Sequence, residues 1–337
     1  MLKLKDENGR IPAKYFERVA KNEPKQKENA IHTVPSYGKE TFQLFLSSPS
    51  TGFFLILLLA MILGAVLIPF LSPFDYAAQN VAFANQSFFS RDPVNGLIHI
   101  FGTDHLGRDI FVRLWYGARI SLTVAGAVAL IDCVVGVTYG SISGYMGGAA
   151  DNIMMRLLEV VSGIPYMVIV LLLMAVLPRG IGSLILAYSL VGWTGMARLV
   201  RGQVLSLKNQ EFVVAAKIMG ASAGRIIFIH LLPNMFGIII VNATLDIPGI
   251  IFTEAFLSML GMGVAPPYPS LGVMANEGIG VFQTYPMQLA VPGIYICLLM
   301  LAFNLLGDRL QDILDPKIRR HITHGRSAEN KRAESVI

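Results

Sequence analysis

The sequence predicts an all-α integral membrane protein with six transmembrane helices, and three observations lead to that fold class. The chain has 337 residues, of which 54% are hydrophobic and 15% are charged, whereas soluble domains carry about 25% charged residues. The mean hydropathy is +0.58. Six apolar segments have the length needed to cross a hydrocarbon layer of about 30 Å at about 1.5 Å per helical residue. A soluble enzyme and a disordered scaffold are therefore disfavoured.

The six segments also predict the orientation of the chain. They are Gly52–Leu71, Ile120–Gly144, Val160–Leu177, Ile181–Ala197, Met235–Leu260 and Met287–Leu306. An even number of spans puts both termini on one side. With the termini inside, 22 Lys and Arg residues lie on the inner side and 5 on the outer side. Because basic residues concentrate on the cytoplasmic side, both termini are predicted to be cytoplasmic.

The spans divide the chain into five parts. The predicted parts are a cytoplasmic tail (1–50), a first transmembrane helix (51–72), an extracytoplasmic segment (73–119), a five-helix core (120–306) and a cytoplasmic C-terminal tail (307–337). No apolar run begins before Thr51, so a cleavable signal peptide is not expected. Cys133 and Cys297 both lie in apolar stretches, which gives no indication of a disulfide framework.

The outer segment contains the run FGTDHLGRDIFVRLWYGAR at residues 101–119. Thr103 or Asp104 can cap a helix whose apolar residues then recur on one face, so we expect an amphipathic helix in the outer interface. It serves either as a strap or as a docking or gating surface. Its candidate residues are Gly102, Thr103, Asp104, Gly107, Arg108 and Asp109. His105 lacks a second nitrogen or sulfur ligand nearby, so a metal site is not expected.

The longest inner loop, at about 198–234, divides into two predicted helical pieces, Asn209–Met219 and Ala223–Leu232. Pro233 is expected to end the second piece, because proline cannot continue a helix interior. A short helix with small residues that projects from a membrane bundle suits insertion into the groove of another protein. The alternative is a solvated loop.

The spacing in this loop resembles the cytoplasmic signature of the permeases of ABC importers. That signature is Glu-Ala-Ala, three residues, Gly, nine residues, Ile, one residue and Leu-Pro. Its counterparts are Val214, Ala215, Ala216, Gly220, Leu232 and Pro233. Val214 and His230 depart from the usual Glu and Ile. Either Glu211, one turn earlier, carries the acidic role in docking, or that role is dispensable.

Other stretches narrow the resemblance. The runs are FGTDHLGRDIFVRLWYGARISL at 101–122, GYMGG at 144–148 with Asp151, EAFLSMLGMGVAPPYPSLGVM at 254–274 and AFNLLGDRLQDILDPKIR at 302–319. Together they look like the C-type permease subunit of oligopeptide and dipeptide ABC importers, over about residues 50–320. The resemblance implies the type I ABC-importer permease fold and a multi-pass location in the cell's cytoplasmic (inner) membrane.

The resemblance also implies partners. They are a second homologous permease subunit, two cytoplasmic ABC ATPase subunits, an extracytoplasmic peptide-binding protein and the lipid bilayer, with no nucleic acid. The chain has no GxxxxGK[ST] phosphate loop, so ATP and Mg are expected in the ATPase subunits. No catalytic residue, metal or cofactor is expected in this chain. Oligopeptides are the leading substrate, and dipeptides or nickel are alternatives.

Three carboxylates fall inside predicted spans: Asp132, Asp246 and Glu254. A charge at the centre of a spanning helix costs about 2.5–3.5 kcal/mol on insertion scales, so such groups usually face a partner or a wet cavity. We expect Asp132 and Asp246 to face the translocation path or the partner permease, and Glu254 to have a structural or gating role there. The alternative is burial against hydroxyl and backbone groups within the bundle.

Two other functions have less support. An intramembrane aspartyl protease requires Gly-x-Gly-Asp, and the nearest run is Leu-Leu-Gly-Asp at residues 305–308. A proton-coupled secondary peptide transporter is the main alternative, but such a protein would typically be longer and contain internal repeats.

Overall fold

The computed structural model describes Phe45, residues 48–93 and residues 95–314. The predicted N-terminal tail lies almost wholly outside these residues, and so does the predicted C-terminal tail after Leu314. The helices of the described residues are α1 (Pro49–Leu71), α2 (Ile110–Met146), α3 (Gly148–Ser162), α4 (Tyr166–Val176), α5 (Ile181–Leu207), α6 (Glu211–Ile218), α7 (Ala223–Met259), α8 (Leu271–Gly280) and α9 (Met287–Leu314).

The segment between α1 and α2 contains little regular structure. It has a 3₁₀ turn at Val81–Phe83 and a two-stranded antiparallel ribbon of β1 (Ser90–Arg91) and β2 (Ile98–His99). Ser90 pairs with His99 in this ribbon. The short ribbon holds the segment close to the start of α2.

Five of the described helices are long and apolar enough to cross a membrane: α1, α2, α5, α7 and α9. Helices α3 and α4 together supply a sixth span if they form one broken span, with a bend of 70° between them. The break falls at Gly163–Pro165, where Pro165 precedes the first turn of α4. The predicted helical membrane bundle is thus present, with five spanning helices, or six if α3 and α4 form one broken span. The side of the membrane on which each terminus lies stays a prediction.

The predicted amphipathic stretch is helical, but it is not a separate helix that starts at Thr103 or Asp104. Helix α2 begins at Ile110 and runs without interruption to Met146, so the amphipathic stretch and the second span form one helix. Its N-cap is Asp109, which accepts a hydrogen bond from the Val112 N–H at 2.7 Å, whereas Thr103 and Asp104 lie in the loop before it. No proline interrupts residues 110–146, and continued helix satisfies every backbone group in the membrane.

The change of element predicted near Pro233 is present as a change of helix type and not as a helix end. Helix α7 passes through this residue by forming a π-helical turn at Ile226–Leu231, in which the Leu232 N–H bonds to the Ile227 carbonyl. The α-helical part resumes at Leu232 with Pro233 in its first turn. Proline is tolerated there because the first-turn N–H groups have no partner within the helix. The membrane part of α7 is therefore continuous with the loop before it.

The described residues have two apolar cores. The larger one gathers buried side chains from α1, α2, α4, α5, α7, α8 and α9. The smaller one joins the end of α5 to α6 and the start of α7 through Met196, Val200, Val204, Val213, Ala216, Ile226, Ile227, Leu231, Met235 and Ile239. This smaller core fixes the projecting segment to two spanning helices.

Candidate functional site

The projecting segment at residues 208–222, here called the α6 loop, is a helix closed by a tight reversal. After α6 the chain turns at Gly220, whose φ is +82°. The Gly220 N–H bonds to the Lys217 carbonyl and the Ala221 N–H to the Ala216 carbonyl, both at 3.0 Å. This pattern is a Schellman motif, which favours glycine at the position with positive φ. The glycine of the signature is therefore required by the backbone.

One face of α6 holds the loop to the bundle. Val213 and Ala216 are buried in the smaller core, against side chains of α5 and α7. Lys217 Nζ also lies 5.2 Å from the centre of the Tyr145 ring, near the end of α2. Ala216 therefore anchors the helix and is not presented to a partner. Of the predicted loop residues on α7, Leu232 is half-buried and Pro233 is exposed.

The other face of α6 is apolar and exposed. This surface, here called the apolar tip, consists of Phe212, Val214, Ala215, Ile218 and Met219. Ile218 is 82% exposed and Met219 is 80% exposed. Large apolar side chains exposed together usually mark an interaction surface. The apolar tip has the shape and chemistry of a short helix that enters an apolar groove.

Glu211 occupies the first turn of α6 and is exposed. It lies three positions before Val214, so both residues are on the same side of the helix. A carboxylate at this place is also favoured by the helix dipole. The arrangement is compatible with Glu211 as the acidic docking residue, and that role stays a prediction.

The N-terminal end of α2 carries a buried ionic network, here called the Arg113 cluster. It consists of Asp104, Arg108, Arg113 and Glu277. Arg108 Nε lies 2.6 Å from Asp104 Oδ2 and its Nη2 lies 2.9 Å from Glu277 Oε2. Arg113 Nη2 lies 2.8 Å from Glu277 Oε2, and its Nε lies 3.4 Å from Asp104 Oδ2. Two arginines thus balance two carboxylates. The network joins the loop before α2, the first turn of α2 and helix α8.

Asp109 makes a second link at this end. Its Oδ2 lies 2.8 Å from His99 Nδ1, which ties the ribbon to the start of α2. Burial raises the pKa of the Asp109 carboxyl, while the hydrogen bonds from the Val112 N–H and from His99 act in the opposite direction. His99 in turn stacks on the Phe74 ring, with centroids 4.3 Å apart.

The remaining predicted residues of this segment shape the loop. Thr103 Oγ1 donates to the Phe83 carbonyl at 2.6 Å and accepts from the Gln86 N–H at 3.0 Å. Gly102 and Gly107 both have a φ of +74°. A Cβ at either position would overlap the backbone of residue 86 or residue 80. All six predicted residues therefore build a rigid loop, and a docking role for this loop stays a prediction.

The same end offers three potential metal ligands. One atom each of Asp104, His105 and Glu277 lies within 4.8 Å of the others. Both carboxylates, however, are already bound to Arg108 and Arg113. Two adjacent guanidinium groups repel a cation, so this arrangement favours ion pairing over metal binding.

The three intramembrane carboxylates have different surroundings. Glu254 is 0% exposed and accepts hydrogen bonds from Ser121 Oγ at 2.8 Å and Ser258 Oγ at 2.9 Å. It links α2 to α7 inside the bundle, away from the surface of the chain, and its structural, gating or path-facing role stays a prediction. Asp132 is buried and Asp246 is exposed.

The sequence did not predict the partners of several charged groups. One is Glu277, and another is the bidentate pair in which Arg201 Nε and Nη2 donate to the two Asp151 carboxylate oxygens at 2.6 and 2.7 Å. Lys208 Nζ donates to the Gly144 carbonyl at 2.9 Å beside this pair. The run GYMGG with Asp151 pointed to this place, but the partners on α5 are too distant in sequence for any local pattern to reveal them.

An apolar bundle with five or six spanning helices defines a multi-pass membrane protein. Residues 136–320 match the family described as "Binding-protein-dependent transport system inner membrane component". Residues 36–87 match "N-terminal TM domain of oligopeptide transport permease C". The chain belongs to this family of membrane permeases. This membership argues against the alternative of a proton-coupled secondary transporter.

Three characterised relatives are similar over most of their lengths. The oligopeptide transport system permease protein OppC of Bacillus subtilis is 44% identical, over 92% of this chain and 99% of its own. The dipeptide transport system permease protein DppC of the same organism is 45% identical, over 94% and 96%. OppC of Escherichia coli K12 is 38% identical, over 79% and 86%.

One solved structure, of inward-facing conformations of the MetNI methionine ABC transporter, is similar with a TM-score of 0.47 at 16% identity. The similarity covers 60% of this chain and 96% of that chain. The family assignment does not depend on this likeness.

Proposed function

We propose that this chain is one of two membrane subunits of an ATP-driven importer for peptides, with oligopeptides as the first candidates. The two Bacillus relatives named above, one for oligopeptides and one for dipeptides, support a peptide substrate about equally. Neither name supports nickel. In this proposal a binding protein delivers the peptide outside, and a second permease completes the path.

The observation that carries the proposal is the apolar tip. An exposed apolar surface held rigidly by buried Val213 and Ala216 is suited to a groove on an ATPase subunit. When the ATPase subunits close on ATP, the tip would move with them. Because α7 is helical from Ala223 to Met259, a displacement at the loop would reach the membrane part of the same helix.

The division of chemistry follows from this arrangement. ATP and Mg bind in the ATPase subunits, and this chain converts their motion into alternating opening of the path to the two sides. In the predicted orientation the apolar tip faces the cytoplasm and the Arg113 cluster faces outward, where the binding protein would arrive. The chain itself holds no cofactor and catalyses no reaction in this scheme.

The test is purification of the tagged chain in mild detergent, followed by mass spectrometry and by peptide uptake in proteoliposomes. We expect a second permease and ATPase subunits to co-purify. Ile218→Glu and Met219→Glu should each lower ATPase recovery by about tenfold, because a charge in an apolar groove costs more than 1.4 kcal/mol. Val81→Glu is the matched control, since Val81 is also exposed but lies next to the loop before α2.

Two results would each contradict one part of the proposal. A homo-oligomer without an ATPase would exclude the importer. Normal ATPase recovery and uptake in both tip variants would exclude docking through the apolar tip while leaving the importer itself in place.

A further inference from the structure

Asp132, on α2, is a buried carboxylate whose Oδ1 has no hydrogen-bond partner among the described residues. It is 8% exposed. Its Oδ2 lies against α5 at Gly192, where a Cβ atom would overlap it. An ionised carboxylate left alone in an apolar interior is costly, so it requires a cation, a hydrogen-bond donor or a proton.

Asp246, on α7, is close enough to Asp132 for the two carboxylates to interact electrostatically. Its side chain is exposed, and Asn242 Nδ2, one turn earlier, donates to Asp246 Oδ2 at 3.0 Å. A charged side chain on the surface of an apolar span does not face lipid; it faces a wet cavity or another subunit. Asp246 therefore makes this place accessible from outside the chain.

Both carboxylates are near the middle of the membrane. Asp132 is twelve positions from either end of the predicted span Ile120–Gly144, about 18 Å at the rise of an α-helix. Asp246 is eleven positions after Met235, where the fifth span is predicted to begin. A group that crosses the bundle at this level has to pass close to them.

This chain supplies no positive charge at that depth. Residues 120–155, 157–178, 180–197 and 226–308 contain neither Lys nor Arg. On α5, Ser189 Oγ is also buried and without a hydrogen-bond partner among the described residues. Ser189 lies three positions before Gly192, on the same side of α5. The pair thus has acceptors and negative charge, and the balancing charge has to come from outside the chain.

We propose that Asp132 and Asp246 form a binding site for the side-chain ammonium group of a lysine in a peptide in transit. This proposal rests on the peptide-importer function given above. An ammonium carries one positive charge and three donors, which suits two carboxylates and a hydroxyl. An ammonium group is small enough to reach the mostly shielded Asp132. Every lysine-containing peptide has such a group in addition to its N-terminus. Asp246 receives the group at the surface of the chain, and the negative charge of Asp132 adds to the attraction.

The test uses the complete importer in proteoliposomes with its binding protein and three labelled peptides, Ala-Lys-Ala, Ala-Gln-Ala and Ala-Glu-Ala. Asp132→Asn and Asp246→Asn keep the side-chain shape and remove the charge. We expect each variant to lower the uptake ratio of Ala-Lys-Ala to Ala-Glu-Ala by about tenfold, the size of one moderate charge interaction. Because each variant is compared with the natural chain, any preference of the binding protein cancels.

Asp308→Asn is the matched control, since Asp308 is an exposed carboxylate at the end of the last span, and its uptake ratio should not change. An unchanged ratio in both mid-membrane variants would overturn the site. Loss of the second permease on purification would show that the two aspartates form a subunit contact. An equal loss of uptake for all three peptides, with a shifted pH profile of uptake, would show that they carry a proton. Either result overturns the proposal. If the natural importer takes up no peptide, the proposed function itself fails.

Discussion

Arg113 and Glu277 are 164 positions apart in the sequence, yet Arg113 Nη2 donates to Glu277 Oε2 at 2.8 Å. Arg113 is 1% exposed, and the same Glu277 oxygen also accepts from Arg108. One carboxylate on α8 therefore holds two guanidinium groups at the start of α2. This contact ties α8 to the start of α2.

Removing that carboxylate should be strongly destabilising. In Glu277→Ala, Arg108 and Arg113 would remain buried with only Asp104 as a counter-charge. Breaking a buried ion pair by removing one partner costs about 3–5 kcal/mol, and the partial exposure of Glu277 favours the lower end. The measurement is the Tm of the purified protein in detergent.

Glu159→Ala is the control for this prediction. Glu159 also pairs with an arginine, Arg156, at 3.0 Å, but both side chains are mostly exposed. A pair of this kind contributes less than about 1 kcal/mol. Equal changes of Tm in the two variants would show that the Arg113 cluster does not support the fold.

The sequence was sufficient to predict most of the helices but not the contacts between them. Apolar length located five spans, whereas the predicted span Val160–Leu177 is interrupted at Gly163–Pro165. A membrane requires hydrogen-bonded backbone throughout, which explains why α2 is already helical before the predicted second span and why α7 changes helix type near Pro233 without ending. Local rules for caps and proline predicted breaks that the surrounding bundle does not permit.

The part of the site that depends on local backbone conformation was predictable from the sequence. The fixed spacing from Ala216 to Gly220 reflects a Schellman motif, which is a local feature. The burial of Ala216, the partnership of Arg113 with Glu277 and the serine partners of Glu254 all depend on residues far away in sequence. Periodicity in one helix contains no information on such partners.

Gly220 should be required for its backbone conformation. A Cβ residue at a φ of +82° costs about 1–2 kcal/mol, so Gly220→Ala should weaken the reversal after α6 and lower the recovery of ATPase subunits. Gly224→Ala is the matched control, because Gly224 lies in α7 with open space around its Cβ position. Alanine in a helix should be neutral or slightly stabilising there. If both variants recover the ATPase normally, the reversal does not set the geometry of docking.

Ala216 and Ala215 are neighbours with opposite environments, and they should respond differently to the same substitution. Ala216 is buried in the smaller core, so Ala216→Leu should overpack it and cost about 1–3 kcal/mol. Ala215 is exposed on the apolar tip, so Ala215→Leu should leave the Tm unchanged and act only on ATPase recovery. Thermal unfolding and co-purification of the two variants separate these effects. A lower Tm for Ala215→Leu would mean that α6 packs through its other face.

Glu254 should be a stability residue without influence on substrate preference. In Glu254→Gln one of the two carboxylate oxygens becomes an amide nitrogen, so one of the two serine hydroxyls, of Ser121 or of Ser258, loses its buried acceptor. That loss costs about 1–3 kcal/mol. We expect a lower Tm, a smaller amount of folded protein and unchanged uptake per folded molecule, measured with the three peptides used for Asp132 and Asp246. A change in the uptake ratio of Ala-Lys-Ala to Ala-Glu-Ala at normal Tm would instead place Glu254 on the path, which its two serine contacts and complete burial argue against.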